Sequence, residues 1–154
     1  MKVSSSPTLT MAPDTGRVSR RILVVDDDRP SREGLSAALT REGHFVDAAG
    51  DAWQAMIRLR AQSFDIAVVD LDLPAVHGVE LGGWDVVRIA RAYRPDIAVI
   101  VLSADEDATP GPEALALDVT GILGKPISLQ ELTSLVETLR LPEGAQGARS
   151  PLSA

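Results

Sequence analysis

The sequence predicts an α/β fold, one parallel sheet doubly wound with helices on both faces. Three observations predict it. Short apolar runs alternate five times with stretches of helical spacing. The first of them, Ile22–Val25, is continuous, as in a strand buried on both faces. Helix-start signals stand between runs, and right-handed crossovers then place the helices on both sides of the sheet.

Ile22–Val25 is the first apolar run and predicts a strand. Pro30–Arg41 follows as a helix, with Leu35, Ala38 and Leu39 at helical spacing and Gly43 ending it. His44–Ala48 is a second strand. Asp51-Ala52-Trp53-Gln54 is a capping box, opening a helix with Ala52, Ala55, Met56 and Leu59 on one face. Ile66–Val69 is a third strand. Trp84–Arg94 is helical, with Val86, Val87, Ala90 and Tyr93 turned inward. Ile97–Leu102 is a fourth strand. Pro110–Leu117 is a short helix, with Thr109 at the cap and Pro110 at the first position. Gly121–Leu123 is a fifth strand. Ser128-Leu129-Gln130-Glu131 is a second capping box, whose helix places Leu129, Leu132, Val136 and Leu139 on one face.

The 154 residues fit one domain. Residues 20–140 form the folded unit. Residues 1–19 and 141–154, rich in Ser, Pro, Gly and Ala, read as tails. A net charge of -7 argues against a nucleic-acid-binding surface. Absence of cysteine removes disulfides and thiolate metal sites. No apolar run approaches the ~20 residues that cross a bilayer. The N-terminal segment lacks the apolar core of a secretory signal, so a cytoplasmic protein without membrane insertion is expected.

The polar residues of interest stand just after apolar strands. Asp26-Asp27-Asp28 follows the first strand, Asp70 the third, Ser103 the fourth and Lys125 the fifth. Parallel strands end on one rim, where open α/β sheets bind ligands. Carboxylates crowded there repel one another unless a cation sits among them, and oxygen ligands suit Mg²⁺. A Mg²⁺ beside a lysine receives a phosphoryl group, and a carboxylate can be the nucleophile that takes it. Singly, each residue has an ordinary reading as a turn, a cap or solvated surface. Asp28, before Arg29-Pro30, fits that role. Four such residues, each ending a different strand, carry the argument together.

Four stretches resemble the receiver domain of bacterial two-component response regulators. They are ILVVDDDRPSREGL from Ile22, DIAVVDLDLPAVHG from Asp65, VIVLSA from Val99 and GILGKPISLQEL from Gly121. The resemblance implies a flavodoxin-like (βα)5 sheet in strand order 2-1-3-4-5. It implies that Asp70 is the phosphoacceptor, that Asp27 binds Mg²⁺ directly and Asp26 through water, and that the Asp72 backbone carbonyl is a further ligand. Lys125 matches the lysine that pairs with acceptor and phosphoryl group, Ser103 the hydroxyl that swings towards that group, and Lys125-Pro126 a peptide bond that is cis in the family. A histidine kinase or histidine phosphotransfer protein would supply the phosphoryl group, and a downstream protein effector would read it. A homodimer is left open.

This chain departs from the family pattern. Ile122 stands three residues before the lysine, where the family carries an aromatic ring. The stretch from Asp70 to Pro95 is about five residues longer than usual, the excess falling near Val79–Gly83. It reads either as a tolerated surface insertion or as a loop at the mouth of the site. Asp72 and Asp105 add negative charge that would slow anionic phosphodonors, so Asp72→Asn is expected to speed labelling by an acyl phosphate. Thr109-Pro110-Gly111-Pro112 predicts an irregular fourth helix. His44 is expected to be partly buried and His77 to sit in a turn. Trp53 and Trp84 are expected to be packing groups.

The leading function is a stand-alone receiver that switches protein–protein contacts in phosphorelay signal transduction, not a turnover enzyme. One alternative is a degenerate receiver that binds without phosphorylation. Another is a haloacid-dehalogenase-type phosphatase, suggested by Asp70-Leu71-Asp72. That family places its acidic metal pair after the lysine, whereas Asp26-Asp27 precede it here.

Overall fold

A computed structural model describes residues 18–104 and 110–139. Expectations about residues 1–17 and 141–154, Thr109 and Asp105 fall outside the described residues. Five strands, β1 (Arg21–Val25), β2 (Phe45–Ala49), β3 (Ile66–Asp70), β4 (Ala98–Ser103) and β5 (Gly121–Gly124), form one sheet in the order β2-β1-β3-β4-β5. Every pairing is parallel. The helices are α1 (Arg29–Arg41), α2 (Ala52–Ala61), α3 (Gly83–Tyr93), α4 (Pro112–Ala116) and α5 (Leu129–Thr138).

The period-2 geometry of strands splits each apolar run between two cores. Leu23, Val25, Ala67, Val69, Val99 and Val101 pack with α2 and α3 through Ala55, Leu59, Val86, Val87 and Ala90. Ile22, Val24, Ile66, Val68, Ile100 and Leu102 pack with α1 and α5 through Leu35, Leu39, Leu132 and Val136. β1 from Ile22 onward, all of β3 and most of β4 are buried, which accounts for the continuous apolar runs.

Local signals set the helix starts. Asp28 caps α1 by accepting the Ser31 N–H. Asp51 accepts the Gln54 N–H, but the Gln54 side chain accepts from Gly50 N–H rather than from Asp51. Ser128 Oγ accepts the Glu131 N–H. Besides that capping box, three expectations are corrected. α4 begins at Pro112, not Pro110, because Gly111 takes the cap position in extended backbone. Tyr93 is 54% exposed and Leu129 43%; Tyr93 is the last residue of α3 and Leu129 the first of α5. Short α4 is tied down at its end, where Arg91 of α3 donates to the carbonyls of Leu117 and Asp118.

Among the described residues, no helix is long and apolar enough to cross a membrane.

Candidate functional site

The parallel sheet brings the strand-end residues together. β1 and β3 lie side by side with Val25 opposite Val69, so Asp26 and Asp70 emerge as neighbours at one rim. Both are almost fully buried, while Asp27 is exposed. Carboxylate oxygens from Asp26, Asp27 and Asp70 lie within 4.8 Å of one another. Lys125, one residue past β5, reaches across β4 to place Nζ 2.8 Å from Asp70 Oδ1. Its backbone N–H donates to the Ser103 carbonyl at 2.9 Å, which holds the end of β5 against the end of β4. Ser103 is half-buried there. The Lys125–Pro126 peptide is cis.

Each oxygen of Asp26 is already engaged. Oδ1 accepts the Asp28 N–H at 3.0 Å, and Oδ2 accepts the Ser31 hydroxyl at 2.7 Å. The Asp26 carbonyl accepts from Arg32 Nη1 at 2.9 Å. The first turn of α1 therefore braces the acidic loop. The sequence reading did not single out Ser31 or Arg32. Their signal was their position in the first turn of the helix that follows the acidic run.

Asp70 is engaged on one side only. Oδ1 accepts from Lys125 Nζ and from Asp72 N–H at 2.9 Å. Oδ2 is buried and has no hydrogen-bond partner among the described residues. Leaving a buried carboxylate oxygen without a hydrogen bond is costly. Burial pushes the Asp70 carboxyl above its ordinary value. The Lys125 hydrogen bond and Asp72 N–H oppose that rise, and the charge of Asp26 adds to it. Burial pulls the Lys125 ammonium down, but the Asp70 hydrogen bond and the charges of Asp70, Asp26 and Asp72 leave it raised.

Three carboxylates thus face one ammonium. At 4.8 Å, two like charges repel by roughly 3–4 kcal/mol for an effective dielectric of ~20. A divalent cation held by Asp26, Asp27 and Asp70 would offset that repulsion. The residues fit an oxygen-ligated ion such as Mg²⁺. Asp72 is exposed, with a carboxylate oxygen 4.0 Å from Lys125 Nζ. Ile122 is half-buried and packs on the core beneath α2 and α3, opposite Val101 of β4.

The longer stretch after Asp70 has a definite shape. Val76 and Val79 exchange both backbone hydrogen bonds, at 3.0 and 2.9 Å. His77 and Gly78 fill the two-residue turn with φ of 54° and 74°, the positive pair that a tight hairpin requires. The His77 ring meets Trp53 of α2 edge-on at 6.4 Å. Trp53 is therefore a partly exposed contact for the hairpin, whereas Trp84 packs on the core as expected. His44 is buried at the edge of the sheet, where Nδ1 accepts the Arg20 N–H.

Comparison with known proteins agrees with this geometry. Residues 22–137 match the family model described as the response regulator receiver domain. The chain is 30% identical over 156 residues to the alkaline phosphatase synthesis transcriptional regulatory protein SphR of Synechococcus elongatus, covering 96% of this chain and 59% of that protein. It is 33% identical over 122 residues to the response regulator MprA of Mycobacterium tuberculosis, covering 79% and 51%. The chain thus spans about half the length of the curated relatives it matches. Among solved structures, a response regulator receiver protein from Pseudomonas putida superposes with a TM-score of 0.67 at 30% identity, covering 79% of this chain and 98% of that one. The Thermotoga maritima regulator TrrA, solved in complex with Mg²⁺ and BeF, gives 0.66 at 27%, covering 79% and 99%. Receiver domains are signalling domains rather than turnover enzymes. By its family match, its strand order and its acidic rim, this chain belongs to the response regulator receiver domain family.

Proposed function

We propose that the chain accepts a phosphoryl group on Asp70 from a histidine kinase or histidine phosphotransfer protein. The phosphorylated form would then change its contacts with a downstream protein in the cytoplasm. The observation that carries this reading is the asymmetry of Asp70. One oxygen is fixed by Lys125 and Asp72 N–H, the other is buried with no hydrogen-bond partner among the described residues, and the carboxylate lies beside those of Asp26 and Asp27.

Asp26, Asp27 and Asp70, with the backbone carbonyl of Asp72, would hold Mg²⁺. When bound, that ion supplies charge neutralisation for the phosphoryl oxygens and a template for their orientation. In the transfer, an Asp70 oxygen bonds to phosphorus as the phosphorus–nitrogen bond of the donor phosphohistidine breaks. The departing imidazole keeps the electron pair and takes a proton. The product is an acyl phosphate. Lys125 orients the carboxylate before transfer and then pairs with the phosphoryl group. Positioning and charge neutralisation supply most of the catalysis in such transfers. The Ser103 hydroxyl turns to the phosphoryl oxygens, and the added charge, close to two units at pH 7, biases the switch.

The test is mass spectrometry after incubation with acetyl phosphate, or with beryllofluoride, in the presence of Mg²⁺. One adduct is expected, abolished by EDTA and by Asp70→Asn. An adduct that survives Asp70→Asn would refute the assignment.

A further inference from the structure

Gly83 lies thirteen residues beyond the acceptor, at the first position of α3. A Cβ built on Gly83 would stand 2.4 Å from the Asp70 carbonyl oxygen and 2.6 Å from the Leu71 Cα. Both neighbours are backbone, so nothing at the end of a flexible side chain can yield. The contact presses the start of α3 against the peptide unit that joins Asp70 to Leu71. On the opposite side, β4 holds the same unit. Asp70 is in register with Leu102, and the Leu71 N–H donates to the Leu102 carbonyl at 3.0 Å.

The neighbouring Gly82 differs. A Cβ there would meet nothing within 4 Å. Gly82 N–H donates to Asp85 Oδ2 at 2.9 Å and its carbonyl accepts the Asp85 N–H at 3.1 Å, which closes the first turn of α3. Upstream, the hairpin at Val76–Val79 takes up chain length in a fixed shape, and His77 rests against Trp53. Leu73, Leu81 and Trp84 pack on the core at the two feet of the segment.

We propose that residues 72–83 form a rigid bracket that delivers Gly83 to the acceptor backbone, and that Gly83 is a positioning residue for phosphoryl acceptance. The long segment thus works inward on Asp70 rather than outward on partners. The inference rests on Asp70 being the acceptor. Gly83→Ala must move the Asp70–Leu71 peptide or the start of α3 by roughly 1 Å to restore ordinary packing. A misplacement of about that size at a reacting group can cost ~10²-fold in rate.

The test compares wild type, Gly82→Ala and Gly83→Ala with acetyl phosphate at saturating Mg²⁺. The rate per folded molecule is followed by mass spectrometry, with circular dichroism confirming the fold. Gly82→Ala is expected to label within about twofold of wild type and Gly83→Ala about ten- to hundredfold more slowly. A Gly83→Ala variant that is folded and labels as fast as Gly82→Ala would overturn the proposal. If wild type itself gains no Asp70 adduct, the functional reading fails instead, and the two failures are distinct. Should Gly83→Ala not fold, Gly78→Ala decides. Its Cβ meets nothing, but its φ of +74° is strained for alanine, so it loosens only the hairpin. A several-fold slower rate supports the bracket, and an unchanged rate refutes it.

Discussion

Asp65 immediately precedes β3 and Asp70 ends it, and both are about 1% exposed. Their surroundings differ. Asp65 lies at the N-terminal rim, where one oxygen accepts the Arg21 N–H at 2.8 Å and the other pairs with Arg94 at 3.4 Å. Arg94 is itself fixed by the Phe64 carbonyl and Asp96. Asp65 is thus a compensated charge that ties β1, β3 and the end of α3 together. Asp70 lies at the C-terminal rim, where its carboxylate and those of Asp26 and Asp27 share the one ammonium of Lys125. Burial alone does not mark a functional carboxylate. Burial with compensation left incomplete does, because the missing charge must come from an ion or a reacting group.

The largest effect that separates the two is on stability. Asp65→Asn breaks a buried ion pair while keeping the oxygen that accepts from Arg21. It should destabilise the fold by about 2–3 kcal/mol in urea titrations yet leave the Asp70 adduct intact. Loss of the adduct in a folded Asp65→Asn protein would erase the distinction.

The next effect is on pH dependence. Burial raises the folded pKa of Asp70 above its unfolded value. Its contribution to stability is therefore fully present below the unfolded value of ~3.9 and is lost as pH rises through the raised folded value. Without metal, wild type should lose stability relative to Asp70→Asn across that acidic window. Lys125 remains charged throughout it and shifts the two curves by a constant. Urea midpoints at several pH values in EDTA check the slope, and parallel curves would show that Asp70 is not burial-strained.

The smallest effect belongs to Ser31. Ser31→Ala removes the 2.7 Å bond to Asp26 Oδ2. It should weaken Mg²⁺ binding by about fivefold, the equivalent of one hydrogen bond worth ~1 kcal/mol, with little change in fold stability.

The fold was legible because β1, β3 and β4 are almost wholly apolar and α1, α2 and α5 carry side-chain caps at Asp28, Asp51 and Ser128. The five parallel strands and the order β2-β1-β3-β4-β5 match the expectation that the resemblance implied. The start of α4 was misread because Pro110 and Pro112 both suit a first helical position, and only the backbone at Gly111 separates them. The strand-end residues Asp26, Asp27, Asp70 and Lys125 were legible because a parallel sheet sends them all to one rim. Ser31, Arg32 and Gly83 were not. Their roles are contacts made across the fold, which spacing along the chain does not encode. The turn at His77 was expected, but the Val76–Val79 pairing that closes it was not, because His-Gly is a less familiar pair at positive φ than Asn-Gly.

The central claim is that Asp26, Asp27 and Asp70 form a cation site because Lys125 alone does not balance their charge, whereas the charge of Asp65 is paired with Arg94. Isothermal titration of Mg²⁺ tests it most directly. The account predicts one binding site in wild type and in Asp65→Asn, lost in Asp27→Asn and in Asp70→Asn. Undiminished Mg²⁺ binding in Asp70→Asn, or none in wild type, would contradict it.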